Sequence, residues 1–232
     1  MTASEFFDIV VGSFIIMKSD YRYKVERDRF ILFKLIKKIA DPIWEIPFFY
    51  KLVQTVLAGG GHDLIKKYLK AEISLKYKKI LDQGCGTGEY SLLFKDRYFG
   101  LDNNKDYIQG ASKNYPGNFI LGDATNMKLK QNSFDVVFSV GLHHHLNDEL
   151  AKKAINQALR VTKKGGKVVI VDAMMPKNKF NIIGYFLRKI DRGGEVRRVS
   201  ETLKLIPRSL KYKVGTLSSF PFDYITLVIV KI

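Results

Sequence analysis

Ile80-Leu81-Asp82-Gln83-Gly84-Cys85-Gly86-Thr87-Gly88 decides how the rest of the chain is read. Its opening is a short apolar run, expected as a strand over Lys79–Asp82, and the helical stretch Glu89–Phe94 comes after the glycines. Glycines between a strand and a helix let the backbone turn tightly and bring a ligand to the helix N-terminus. The carboxyl end of a strand is where open parallel sheets bind ligands. Asp102 ends the next expected strand, Arg97–Leu101, at a position where a carboxylate can accept from ribose hydroxyls. A dinucleotide loop of the form G-x-G-x-x-G/A requires Gly or Ala at position 89, and Glu89 stands there instead.

Downstream, strands and helices alternate. Lys105–Tyr115 reads as a helix, Asn118–Leu121 as a strand ending at Gly122-Asp123, and Phe134–Val140 as a strongly apolar strand. Asp148–Val161 reads as a helix, Lys163-Lys164-Gly165-Gly166 as a turn, and Lys167–Val171 as a fifth strand. This order predicts a parallel sheet with right-handed crossovers, covered on both faces. The tail adds helices at Phe180–Ile190 and Ser200–Ile206, then strands at Lys211–Ser218 and Tyr224–Lys231 around Phe220-Pro221-Phe222. Such a hairpin makes the sheet mixed.

With its flanks added, the loop closely resembles the first motif of class I S-adenosylmethionine-dependent methyltransferases. The likeness continues through Gly100-Leu101-Asp102, Gly122-Asp123-Ala124, Ser133-Phe134-Asp135-Val136-Val137-Phe138 and Lys164-Gly165-Gly166-Lys167, in the family's order and spacing. Gln83 departs from it, because the family usually has an aliphatic residue there. The resemblance implies an α/β fold: a Rossmann-like, doubly wound, mostly parallel seven-stranded sheet with an antiparallel C-terminal hairpin. Residues 1–70 are expected as an N-terminal helical cover and 71–232 as the methyltransferase domain, with 174–210 as a substrate-side insertion.

The resemblance also implies the cofactor, S-adenosyl-L-methionine, released as S-adenosyl-L-homocysteine. It assigns Asp82, Gly84, Gly86 and Gly88 to the methionine moiety, Asp102 to the ribose and Asn103 to the side of the adenine. Asp123 and Ala124 meet the adenine edge, and Val140 and Gly141 end near the sulfonium. Cys85, within the loop, counts among the cofactor-binding residues as a small filler rather than a nucleophile. A second, shorter resemblance, to small-molecule and lipid-pathway methyltransferases, brings Tyr50 and Gln54 to the cofactor and makes Arg192 or Arg197 a clamp for an anionic acceptor. Arg suits bidentate binding of carboxylate or phosphate; the alternative is a solvated basic surface.

The segment after the fourth strand narrows the acceptor. Ser139-Val140-Gly141-Leu142-His143 contains neither the Asn/Asp-Pro-Pro-aromatic sequence of amino-group enzymes nor the cysteine of cytosine C5 enzymes. Nucleic acid is thereby demoted as the partner, and an RNA-directed enzyme or a non-catalytic cofactor-binding module stand as alternatives. His143-His144-His145 occupies the place instead. Consecutive loop side chains diverge, so no metal site is expected. His143 or His144 is a candidate proton acceptor, since imidazole titrates near neutrality; the alternative is that they only shape the pocket floor.

Charge points the same way. The 232 residues carry 39 Lys+Arg against 23 Asp+Glu, a net +16. The segments 1–79, 80–174 and 175–232 hold +6, +2 and +8, so the excess sits in the flanks. Aromatics there (Phe6, Phe7, Phe14, Trp44, Phe48, Phe49) suit an acceptor with an apolar part. A small or lipid-linked, anionic acceptor is expected, with peripheral contact to an anionic membrane. A single cysteine excludes an internal disulfide framework and fits a reducing, cytoplasmic setting. The apolar stretch from Phe6 to Met17 is too short to span a bilayer and lacks the flanks of an export signal.

Overall fold

The computed structural model describes residues 61–232, apart from Leu75, Ile190 and Arg192. Within them a helix over residues 61–72 (α1) leads to β1 (Ile80–Gln83), α2 (Ser91–Phe94), β2 (Tyr98–Asp102), α3 (Lys105–Asn114) and β3 (Asn118–Leu121). Next come β4 (Phe134–Val140), a 3₁₀ turn (His143–His145), α4 (Asp148–Val161) and β5 (Thr162–Met174). The chain closes with α5 (Ile182–Lys189), α6 (Val199–Leu203), β6 (Tyr212–Ser219) and β7 (Phe222–Val230).

The strands form one seven-stranded sheet in the order β3-β2-β1-β4-β5-β7-β6. The first five are parallel, and β7 enters antiparallel between β5 and β6. The expected sheet and hairpin are therefore present. The order reverses between β1 and β4, so the crevice for a ligand opens beyond the carboxyl ends of those two strands.

Side-chain alternation along the strands builds a core on each face. Leu81, Val137, Ile170 and Leu227 point to one side and pack against Ala151, Ile155 and Ala158 of α4. Those helix positions recur at i, i+4 and i+7, one stripe of a 3.6-residue period. Ile80, Val136, Phe138 and Val169 point to the other side, against Ile65 and Leu69 of α1 and Phe94 of α2. The helix over 61–72 thus crosses position 70 and packs as part of the sheet's own core.

Two details differ from expectation. The stretch Lys163–Gly166 does not break β5: the strand starts at Thr162, and its register against β4 shifts between Phe134 and Val136. Gly166 allows this, because a Cβ there would lie 2.6 Å from the Asp135 carbonyl. Gln83 is also not a packing defect. Fully buried under the loop, its amide donates to the carbonyls of Ala124 at 2.9 Å and Ala154 at 3.0 Å. A polar side chain at an aliphatic position is tolerated there because its donors are matched.

Candidate active site

The glycine loop is shaped by its own backbone. Gly84 and Cys85 both donate to the Leu101 carbonyl, at 2.7 and 3.0 Å, which folds the loop back over β2. Gly84, Gly86 and Gly88 have φ of +78°, +52° and +82°, the left-handed region that costs other residues strain. At Gly86 the space a Cβ would enter is open, so a ligand can lie against the main chain. Asp102 is fixed beside it: the Gly86 amide donates to Oδ2 and the Asn104 amide to Oδ1, each at 2.9 Å. Both oxygens keep a lone pair for hydroxyl donors.

Beneath the loop lies Asp82, 1% exposed. The Tyr98 hydroxyl donates to its Oδ2 at 2.7 Å, while Oδ1 has no partner among the described residues. Burial pushes this carboxyl up to about 7. An unmatched buried acceptor below an open glycine cradle, beside a carboxylate with spare lone pairs, fits a ligand with an amino group and a ribose diol. Cys85 is buried, its thiol raised by burial, and Gly100 leaves room for its Sγ. A thiol held protonated in this way is a poor nucleophile, and Cys85 borders the cavity described below.

A cavity of about 550 Å³ runs from this loop past Asp102 and Asn103 to Val140, Gly141 and the histidine turn. Glu89 and His62 border it, joined by a 2.8 Å contact that ties α1 to the residue after the loop. Of the expected cofactor residues, Asp82, Gly88, Asp123 and Ala124 do not border it, Asp82 lying buried beneath the loop. Asp123 accepts from the amide and hydroxyl of Thr125, and the Ala124 carbonyl serves Gln83. Tyr50, Gln54 and Arg192 lie outside the described residues.

The three histidines diverge. His143 is fully buried off the cavity, its Nε2 3.2 Å from the Ser139 hydroxyl, and burial lowers its pKa. His145 borders the cavity and is exposed. His144 also borders it, and its Nδ1 lies 2.6 Å from Oδ1 of buried Asp172, at the end of β5. Burial alone pushes the Asp172 carboxyl up, but the His144 hydrogen bond and the neighbouring imidazoles hold it below the usual range. An ionised Asp172 accepts from Nδ1–H and so leaves the lone pair on Nε2, the arrangement of a proton acceptor. Among the described residues no group of three His, Cys, Asp or Glu could hold a metal.

Of the two cationic candidates of the tail, Arg192 lies outside the described residues and Arg197 parts company with expectation. Arg197 is no acceptor clamp: its guanidinium donates to Asp148 Oδ1 and to the carbonyls of His143, Glu195 and Leu146. It braces the histidine turn from behind and does not border the cavity. Arg188 of α5 does border it, with Tyr224 of β7. Sequence reasoning missed both, as well as Asp172. Asp172 had a usable signal, as an acid near the carboxyl end of a central strand; Arg188, in the apolar run Ile182–Lys189, had none.

The methyltransferase-domain family matches residues 81–170. The demethylmenaquinone methyltransferase of Thermotoga maritima is 28% identical over 137 residues, covering 56% of this chain and 59% of that protein. A tRNA (carboxymethyluridine(34)-5-O)-methyltransferase of Arabidopsis thaliana is 37% identical over 93 residues, 39% of this chain and 23% of its own length. The chain thus spans less than two thirds of the curated relatives it matches. Magnesium protoporphyrin IX methyltransferase from Synechocystis PCC 6803, solved with bound SAH, superposes with a TM-score of 0.60 at 16% identity, covering 77% of this chain and 87% of that one. At that identity the likeness speaks for the fold.

Proposed function

We propose a reaction for this chain from the premise that residues 81–170 form a class I S-adenosylmethionine-dependent methyltransferase domain: in-line methyl transfer to an acidic hydroxyl or enol, or to the carbon conjugated with it, on a small amphipathic acceptor. The observation that carries this reading is the His144–Asp172 pair at the cavity wall, past the end of β4. Demethylmenaquinone is the acceptor named for the Thermotoga relative, which favours a planar phenolic ring with an apolar chain.

The loop backbone, Asp82, Asp102 and Asn103 would hold S-adenosyl-L-methionine. When bound, it supplies an electrophilic methyl group and a neutral thioether as leaving group. The protein's part is then to align the acceptor and to take its proton. His144 Nε2 accepts the proton, the Nδ1–H bond to Asp172 steadies the cation so formed, and the acceptor's electron pair forms the new bond to methyl. Alignment of this kind lowers the barrier by converting a bimolecular step into a unimolecular one.

The acceptor's apolar chain would reach the protein from a membrane. Phe180 and Phe220, 70% and 73% exposed, stand where Asn181 Nδ2 ties the start of α5 to the Pro221 carbonyl in the hairpin turn. Exposed Lys177 and Lys179 flank them, and this combination suits an anionic lipid surface in peripheral contact. No helix of the described residues is long and apolar enough to cross a membrane.

The test is transfer of labelled methyl from S-adenosyl-L-methionine into a cell extract, with the product identified by mass. A labelled lipid-soluble phenol or quinol, lost in His144→Ala, is the expected result. Labelled RNA, or cofactor binding without any labelled product, overturns the reading. Flotation with anionic but not neutral vesicles, lost in Phe180→Ser/Phe220→Ser, is expected for the membrane contact; equal flotation of wild type and variant overturns it.

A further inference from the structure

Asp191 stands behind the acceptor end of the cavity, between two residues that line it, His144 and Arg188. Its Oδ1 lies 3.6 Å from Nε2 of His144, the nitrogen turned away from Asp172, and its Oδ2 lies 3.3 Å from Nη1 of Arg188. Both separations exceed the roughly 2.7–2.9 Å of a close charge-assisted hydrogen bond. The other side of the same imidazole meets that standard, with 2.6 Å to Asp172. One carboxylate is therefore shared between the Gly193 amide, which donates to Oδ1 at 3.0 Å, and a long bond from Arg188 to Oδ2, with the His144 imidazole beyond hydrogen-bond reach.

Arg188 is under-matched for a buried cation. It is 8% exposed, donates from Nη2 to the Asp223 carbonyl at 3.1 Å, and has no partner for Nε among the described residues. Its guanidinium carbon stands over the rings of Phe222 and Tyr224, at 4.6 and 5.1 Å from their centroids. Those rings hold the plane of the guanidinium in place, and Arg188 and Tyr224 both border the cavity. A buried guanidinium without full partners is costly unless a ligand completes it.

We infer that Arg188 Nη1 anchors an anionic oxygen of the acceptor, a carboxylate on an aromatic ring and separate from the hydroxyl whose proton His144 takes, and that Asp191 Oδ2 is an internal stand-in which this oxygen displaces. The inference rests on the reading of the cavity as a methyltransferase site and adds the acceptor's charge and its anchor. Turning Asp191 out gives up the Gly193 amide bond to its Oδ1, but its side chain is 20% exposed and the Gly194 amide still bonds to its main-chain carbonyl, so the turn keeps one of its two closing bonds.

The experiment is calorimetry on the chain loaded with S-adenosylhomocysteine, with 2-naphthoate and its neutral isostere 2-naphthamide as probes. The expected result is naphthoate at least tenfold tighter than the amide in wild type. Arg188→Gln should erase that ratio, and Asp191→Asn should tighten naphthoate several-fold by removing the competing charge. Binding of S-adenosylhomocysteine should be unchanged in both variants, which separates a lost subsite from a lost fold. Equal affinity for the two probes, no binding of either, or a ratio untouched by Arg188→Gln overturns the inference. Failure of wild type to bind S-adenosylhomocysteine overturns instead the reading of function beneath it.

Discussion

The two ends of the cavity are made differently. At the cofactor end the cavity is lined by one loop, with its main chain open at Gly86, and by Asp102, which is itself held by two backbone amides. At the acceptor end it is lined by side chains of separate segments: His144 after β4, backed by buried Asp172 on β5, Arg188 on α5 and Tyr224 on β7. A main-chain site tolerates substitution between glycines and depends on backbone conformation. A side-chain site can be retuned one residue at a time without disturbing the sheet. One end can thus stay constant while the other adopts new substrates.

That division predicts separable damage. His144→Ala should lower the methyl-transfer rate by about 10²–10⁴-fold, the usual weight of a proton acceptor, with S-adenosylhomocysteine affinity unchanged by calorimetry. Asp102→Ala should do the reverse in binding, weakening S-adenosylhomocysteine by about a hundredfold through the loss of charge-assisted hydrogen bonds. If either variant impairs both readouts equally, the two ends are not independent. Gly193→Ala probes the join with a smaller effect. A Cβ there would overlap the His144 ring and its carbonyl, so the imidazole must tilt. A fall of about tenfold in rate is expected if the geometry at His144 matters to within an ångström, with the fold intact by circular dichroism.

The same division explains what could be read from sequence. The alternation of strands and helices, the hairpin and the glycine loop are encoded locally: strand and glycines are contiguous in the chain, and the period of apolar positions fixes each element. Asp102 needed only a count along the chain. The acceptor end depends on which distant side chains converge, and composition conveys nothing of that. Arg197 and Arg188 are both tail cations, yet one is consumed by four protein acceptors while the other faces the cavity. His143 and His144 are neighbours, and the 3₁₀ turn buries one behind Ser139 and gives the other to Asp172. Gln83 shows the limit even at the local end, because its partners on Ala124 and Ala154 lie far along the chain.

The smallest expected effect tests how firmly the cofactor end is tied to α1. His62 and Glu89 are joined at 2.8 Å. The Glu89 hydrogen bond raises the His62 pKa above 6.5, and the same bond lowers that of Glu89 below 4.5. The histidine's contribution is complete below pH 6.5 and fades as pH rises through its folded value. The glutamate's contribution is complete above pH 4.5 and fades as pH falls through its folded value. The pair therefore stabilises most between about pH 4.5 and 6.5. Half-exposed as it is, its worth should be only about 0.5 kcal/mol. Glu89→Gln should lower the melting temperature by about 1–2 °C at pH 5.5, with the difference shrinking above pH 7.5 and in high salt. A difference that grows with pH would show that Glu89 acts on the loop by some route other than His62, and the cofactor end would then not be the self-contained main-chain site that its geometry describes.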